Sequence, residues 1–392
     1  MINIVKFELT EQQKLAKEKT IKWWKTQDKQ VFEISGAAGT GKTTIVYTLI
    51  DELGLDHDDV LFMAYVGKAT LALAMKGNFA QTIHSSIYEL RKVPMVDELG
   101  NVVLENNRVV DKLEFIKKDY LPSNIKLIVV DEGAMVPENI AKDILSFDIP
   151  VIVLGDNNQL PPIFGNSYFL NHPDVELTEP MRQALDSPII HLAMKAMHGD
   201  YIKIGKYGNS YVIKKDMITD NMLTNSDIVI CGRNRTRDEL NRRIREDILK
   251  INKQYPIIGD KVICRRNNWN RRLMENIFLI NGMVGYIEDV NMESFNGRSI
   301  KIDFRPEFLK NKMFENIEID FEYLTAPFNQ KKKGRSYYDQ FEYAYAITTH
   351  LSQGSEYENV FIYDEVMGDR DFYRKWLYTA ITRASNGLIL AL

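Results

Sequence analysis

The chain is poor in cysteine: Cys231 and Cys264 are the only two in 392 residues, which excludes a disulfide framework and a cysteine metal site. Each follows an apolar run, Ile228-Val229-Ile230 and Val262-Ile263, so both are expected to be buried and reduced, as in a cytoplasmic protein. No apolar run is long enough to span a bilayer. Residues Met1 to Phe7 lack the apolar core and small-residue cleavage site of a signal peptide. Short-period repeats and low-complexity tracts are missing too. A charge excess of either sign is also absent. The formal net charge is −4, which taken alone argues mildly against a polyanionic partner. The basic residues are nevertheless clustered, at Arg233, Arg235, Arg237, Arg242, Arg243 and Arg245, at Arg265, Arg266, Arg271 and Arg272, and at Lys331, Lys332, Lys333 and Arg335. For any one such cluster a solvated face is the commoner explanation. The length, with 45% hydrophobic and 27% charged residues, predicts a globular protein of two or more domains.

What is present is organised around Gly36-Ala37-Ala38-Gly39-Thr40-Gly41-Lys42-Thr43. The apolar run Val31-Phe32-Glu33-Ile34 precedes it, and a helical run from Thr44 to Leu53 follows. Strand, glycine loop, Lys-Thr and helix together specify a phosphate-binding loop. Its glycines let backbone N–H groups turn inward onto phosphate oxygens, and the new helix points its positive end at the same charge. Lys42 is expected to reach the β- and γ-phosphates of ATP, and the Thr43 hydroxyl to hold Mg²⁺. Upstream, an amphipathic helix is predicted from Leu9 through Trp24. Thr10 and Gln13 have capping-box spacing, and Gln13 also has an amide able to read an adenine edge.

Ile125 to Glu132 reads as a buried strand ending in two carboxylates. Asp131 is expected to hold Mg²⁺ through water, and Glu132 to orient and deprotonate the attacking water. The next strand, Pro150 to Leu154, runs into Gly155-Asp156-Asn157-Asn158-Gln159-Leu160-Pro161-Pro162. That places Gln159 at the carboxyl end of a parallel strand, where open α/β sheets bind ligands. Residues 86–121 have a different texture, with Gly100-Asn101 flanked by valines, and are read as a hairpin insertion. A second α/β pattern begins at Asp227 and ends in a helix from Trp376 to Arg383 and a strand from Leu388 to Leu392. Within it, residues from 259 to about 340 form short β-rich runs broken at Asn281-Gly282 and Asn296-Gly297. If ATP sits between two such domains, Arg182 and Arg383 are candidate cations for its transition state.

The motifs, in this order, resemble those of superfamily 1 DNA helicases of the branch of RecD and the phage helicase Dda, from Leu9 to Ala384. Gly36–Thr43 is similar to motif I, Asp131-Glu132-Gly133-Ala134-Met135 to motif II and Gly155–Pro162 to motif III. Leu177 to Gln183, containing Arg182, is similar to motif IV. Thr348 to Glu356 is similar to motif V and Tyr378 to Ala384, with Arg383, to motif VI. Val66 and Leu351 depart from the family pattern at two phosphate-contacting positions.

The resemblance implies an α/β fold of two RecA-like parallel-sheet motor domains in tandem, residues 1–185 and 186–392. The hairpin at 86–121, with its tip near Leu99, would be a strand-separating pin, and 266–340 a small β-barrel. It implies catalytic roles for Lys42, Glu132, Gln159, Arg182 and Arg383. Nucleotide contacts are implied for Gln13, Gly36, Ala37, Ala38, Gly39, Thr40, Gly41, Lys42, Thr43, Thr44 and Glu356, and metal contacts for Thr43 and Asp131. Single-stranded and forked DNA would meet Lys68, Thr82, His84, Thr348, His350 and Gln353. The expected activity is Mg-ATP-driven 5′-to-3′ movement and unwinding by a monomer in replication or recombination. A DNA-stimulated ATPase that remodels complexes with little unwinding is the alternative. The Lys-, Asn- and Ile-rich texture points to a phage or AT-rich bacterial source.

Overall fold

The structure is a computed structural model and describes residues 9–65, 80–94, 102, 104, 105, 108, 109, 111–161, 167–181, 186–274, 277–331 and 337–392. The chain divides into two compact units that meet in sequence at Glu179 and Pro180. The loop pieces Ala38–Thr40 and Asn158–Leu160 group with the second.

Ten strands fall in the first unit: β1 (Val31–Gly36), β2 (Val60–Ala64), β3 (Ala80–Thr82), β4 (Tyr88–Pro94), β5 (Leu104–Glu105), β6 (Arg108–Val109), β7 (Asp111–Lys117), β8 (Leu127–Asp131), β9 (Val151–Gly155) and β10 (Val175–Leu177). Six of them make a parallel sheet in the order β10-β1-β9-β8-β2-β3. Every residue of β9, and Leu127 to Val130 of β8, is buried. This is the near-continuous apolar run of a strand covered on both faces. Alternate side chains serve opposite layers. Phe32, Leu127, Val129 and Ile152 pack on helices α1 (Glu11–Thr26) and α2 (Lys42–Glu52). Ile128, Val130, Val151 and Val153 pack on α3 (Ile83–Ile87) and α4 (Glu138–Leu145).

The 86–121 segment contains an antiparallel ladder of β4 with β7, in register from Tyr88↔Lys117 to Pro94↔Asp111. A shorter β5–β6 ladder lies inside it. Leu99 and the Gly100-Asn101 turn lie outside the described residues.

The second unit holds β11 (Gly205–Tyr207), β12 (Ser210–Ile213), β13 (Ile228–Cys231), β14 (Lys261–Cys264), β15 (Asn268–Met274), β16 (Ile277–Leu279), β17 (Val284–Asn291), β18 (Ser299–Pro306), β19 (Phe314–Asp320), β20 (Phe341–Tyr343), β21 (Ala346–Thr348), β22 (Tyr357–Tyr363) and β23 (Ala384–Ala391). Its main sheet has the order β11-β12-β23-β22-β13-β21, parallel except for the β11–β12 hairpin. Helices α5 (Pro188–His198) and α10 (Arg370–Ile381) bury Leu192, Trp376 and Leu377 against one face through Ile228, Ile230 and Ile362. The other face carries α6 (Asp220–Thr224) and α7 (Asn234–Arg242), the latter running into a π-helical turn, Arg243–Ile248; α8 (Phe321–Thr325) and α9 (Thr349–Ser352) are single short turns further along the chain.

The β-rich insertion is a five-stranded antiparallel sheet, β19-β18-β17-β14-β20, with its own core around Phe304, Ile317 and Phe341. A parallel bridge from Ile319 to Asp339 joins edge strand β19 to the chain entering β20. Gly282 and Gly297 take positive φ in the two Asn-Gly turns. Both cysteines are buried.

Three boundaries differ from the sequence reading. The insertion sheet recruits β14 and β20, so it exceeds 266–340 at both ends. The last helix stops at Ile381, which puts Arg383 in the turn before β23, and β23 starts at Ala384 rather than Leu388. The stretch after α5 also contains the β11–β12 hairpin, and β12 joins the main sheet beside β23.

Candidate nucleotide and nucleic-acid sites

In the first unit the chemistry gathers at the carboxyl ends of β1, β9 and β8, which are neighbours in the sheet. The β1 loop and the end of β8 are therefore two strand spacings apart, roughly 10 Å. Ala37 N donates to Leu177 O at 3.2 Å, which ties the start of the loop to β10. Gly39 and Gly41 have φ of 78° and 75°, a region only glycine enters freely. Gly41 is also the N-cap of α2 and has no side chain to cap the first-turn N–H groups. That arrangement suits phosphate oxygens. Lys42 Nζ donates to Gly36 O (2.5 Å) and Ala37 O (3.1 Å), so its ammonium lies over the loop. Thr40 is buried, and Ala38 and Thr44 are half-buried. The side chain of Thr43 lies outside what the structure describes.

Asp131 closes β8, and its Oδ1 accepts from Glu132 N at 2.9 Å. Glu132 is a non-glycine residue with φ 53°, a strained conformation that concentrates at functional sites. The backbone there is tightly packed. A Cβ on Gly133 would come within 2.2 Å of Val153 Cγ1, and one on Gly155 within 2.4 Å of Leu170 Cδ1. A carboxylate at a strand end, beside a phosphate loop, is the hard-oxygen donor chemistry Mg²⁺ prefers.

Gln13 makes both arms of the capping box: its N donates to Thr10 Oγ1, and its Oε1 accepts from Thr10 N at 3.0 Å. The capping reading is therefore realised, and the Gln13 carbonyl oxygen is committed to it. Sequence reasoning missed its neighbour. Gln12 Nε2 donates to Thr178 Oγ1, and its Oε1 accepts from Thr178 N and Glu179 N at 2.7 and 3.1 Å. Nothing in the Gln-Gln pair distinguishes these two roles.

Thr82 caps α3 through Ser85 N. His84 on that helix lies among aromatic rings: Tyr88 stacked at 5.5 Å, Phe115 edge-on at 5.5 Å and Tyr65 at 6.1 Å. Burial lowers the His84 pKa and favours neutral imidazole. Lys68 and Arg182 lie outside the described residues.

In the second unit Gln159 is 9% exposed, and its Oε1 has no hydrogen-bond partner among the described residues. Thr348 ends β21 and is buried, and His350 is half-buried with its pKa lowered by burial. Glu356 is exposed. Two of the residues named for ligand contact are buried here. Gln353 is 2% exposed and its amide donates to Leu160 O, so in this arrangement it is part of the packing. Arg383 is 6% exposed, and its guanidinium donates to Thr379 O, Ser355 O and Thr382 Oγ1. The sequence reading also overlooked Glu365, just past β22. Its carboxylate accepts from Gly232 N, Arg233 N, Arg233 Nη1 and Thr236 Oγ1, which fixes the loop entering α7.

A UvrD-like helicase C-terminal domain matches residues 343–391, and an AAA domain matches residues 20–165. The ATP-dependent RecD2 DNA helicase of Deinococcus radiodurans is 30% identical over 178 residues, covering 43% of this chain and 22% of its own. A structure of two coordinating Pif1 helicases at forked double-stranded DNA superposes with a TM-score of 0.55 at 18% identity, covering 98% of this chain and 92% of that one. The chain is thus similar to helicases of the UvrD, RecD2 and Pif1 types.

Bacteroides Pif1 bound to single-stranded DNA has the same fold, with a TM-score of 0.53 at 17% identity over 98% and 92% of the two chains. An uncharacterised protein of Methanocaldococcus jannaschii is 24% identical over 91% of this chain. The chain spans 36% of that protein and 22% of the RecD2 helicase, about a third and a fifth of the curated relatives it matches. No helix among the described residues is long and apolar enough to cross a membrane.

Proposed function

We propose that this chain is an ATP-driven DNA helicase that moves 5′-to-3′ on single-stranded DNA and separates duplex at a fork. The observation that carries this reading is the juxtaposition of Lys42 on the β1 loop with Asp131 and Glu132 at the end of β8, with only β9 between the two strands in a single parallel sheet. The related proteins support it: one Bacteroides Pif1 structure holds ADP–AlF3 and single-stranded DNA, and the Deinococcus relative is an ATP-dependent DNA helicase.

The loop N–H groups and Lys42 bind the triphosphate, and Lys42 stabilises charge on the γ-phosphoryl group. Asp131 and the Thr43 hydroxyl would hold Mg²⁺, which supplies charge neutralisation at the phosphates. Glu132 takes the proton of the attacking water, and Gln159, whose carbonyl oxygen has no partner among the described residues, orients that water. Arg182 and Arg383 are the proposed transition-state cations. For Arg383 that role requires release from the carbonyls of Thr379 and Ser355. DNA lies along Lys68, Thr82, His84, Thr348 and His350, and each turnover advances it. The β4–β7 hairpin is the element that parts the strands. Replication or recombination is the setting, with the chain acting as a monomer.

The test is unwinding of labelled forks with a 5′ or a 3′ single-stranded tail, in Mg-ATP. The 5′-tailed substrate should open and the 3′-tailed one stay closed. ATP turnover that does not respond to single-stranded DNA would refute the reading.

A further inference from the structure

A two-stranded ribbon is marginally stable alone. The β4–β7 ladder has no third strand among the described residues, so its stiffness depends on how its foot is held. The foot is held at several points. Tyr88 begins β4 and is also the C-cap of α3, its N–H donating to His84 O. Its hydroxyl donates to Asp143 on α4. On the other strand, Lys118 N donates to Ile87 O at 2.9 Å, and Lys118 Nζ donates to Ser86 O and Ser85 O at 2.7 and 3.3 Å, closing the end of α3. Lys117 Nζ donates to Ser146 Oγ at 2.6 Å and sits 5.5 Å from the Phe147 ring, both just beyond α4. Helix α4 itself starts six residues after Glu132. The hairpin is thus bonded to the helix that follows the catalytic carboxylates and to the helix that carries His84.

We propose that the Tyr88–Asp143 hydrogen bond, backed by Lys118 on the α3 carbonyls, clamps the hairpin to the first parallel sheet. Tyr88 and Asp143 are then positioning residues for strand separation. The inference rests on the helicase reading. A hairpin that parts a duplex must withstand the force of the advancing strand. A charge-assisted hydrogen bond in a half-buried foot is the strongest kind of polar anchor available there. Losing it lets the ribbon yield, while the phosphate loop and Glu132 are untouched.

The test compares wild type with Tyr88→Phe, Asp143→Asn, the double variant and a variant whose residues 95–110 are replaced by a short glycine turn. Tyr88→Phe keeps the ring beside His84 and removes only the hydroxyl. Fork unwinding, ATP turnover on single-stranded DNA and amide exchange in β4 and β7 are measured for each. Each single variant should unwind about tenfold more slowly, and the double variant no more slowly than the singles, because both remove one bond. ATP turnover should stay within about twofold, and exchange in β4 and β7 should speed up while β8 stays protected. Unwinding at the wild-type rate in Tyr88→Phe, with the shortened hairpin inactive, overturns the clamp and leaves the helicase reading standing. A parallel fall in ATP turnover overturns it too, because the bond would then only support the fold. Normal unwinding by the shortened hairpin removes the hairpin's role and the clamp with it. Absence of DNA-stimulated ATP turnover in wild type is the distinct failure of the helicase reading.

Discussion

Arg245 and Asp260 form a bidentate ion pair, Nε to Oδ1 at 2.8 Å and Nη2 to Oδ2 at 3.0 Å, with the Asp260 residue 0% and the Arg245 side chain 6% exposed. Asp260 also accepts from Ile257 N and Tyr345 OH, and Arg245 donates to Lys253 O and Tyr255 O. The pair joins the π-helical end of α7 to the residue that leads into β14. Removing one partner strands the other charge in the interior. Arg245→Met should therefore cost about 3–5 kcal/mol in urea unfolding, while replacing both residues by apolar ones of similar volume should restore most of it.

Lys42 and Glu132 should separate cleanly in kinetics. Lys42→Ala removes the cation over the phosphate loop and should abolish ATP turnover. Glu132→Gln keeps the shape and loses the base, so ATP and DNA binding should persist while hydrolysis falls about 10²–10⁴-fold. Single-turnover hydrolysis beside equilibrium binding checks both, and wild-type turnover in Glu132→Gln would remove that residue from the role.

Affinity for single-stranded DNA should fall as salt rises, because phosphate contacts release counterions. His84 is expected to contribute differently. Burial among Tyr65, Tyr88 and Phe115 favours its neutral form, so any contact it makes with DNA should be by stacking rather than as a phosphate cation. His84→Ala should weaken DNA binding and leave the slope of log affinity against log salt unchanged. A slope shallower by about 0.7 would instead make it a phosphate contact.

Two half-buried histidines give stability a pH dependence. His84 and His350 have their pKa values lowered by burial, so the unfolded chain takes up these protons more readily than the folded one. Their contribution is fully present above the ordinary histidine value, about 6.5, and is lost as pH falls below it toward their lower folded values. Melting temperature measured from pH 8 to 5 should drop through that window, and less steeply in the variant His84→Gln/His350→Gln.

The phosphate loop and the Asp-Glu strand were legible because each couples a strong local signal to its own punctuation. The β1 run ends in glycines, and the buried Leu127–Val130 run ends in two acids. The partners of β14 and β20 were not. Val262-Ile263 and Phe341-Glu342-Tyr343 fit a parallel or an antiparallel sheet equally well, and only pairing across the whole insertion decides between them. The β11–β12 hairpin escaped because its strands span three and four residues around Gly208, too short for a periodic pattern. The roles of Gln353 and Arg383 depend on burial, which a polar residue in a motif does not reveal. Their amide and guanidinium bond to carbonyls distant in sequence or reached only by the turn after α10.

The five-stranded insertion leaves and rejoins its host domain through strands that lie side by side, with Val262 opposite Tyr343. Both crossings are thus one ladder apart, and the excursion between them closes on itself whatever its content. A domain plumbed in this way can be enlarged, exchanged or lost as a cassette between lineages without reworking the sheet beneath it, because the host sees only two adjacent ends.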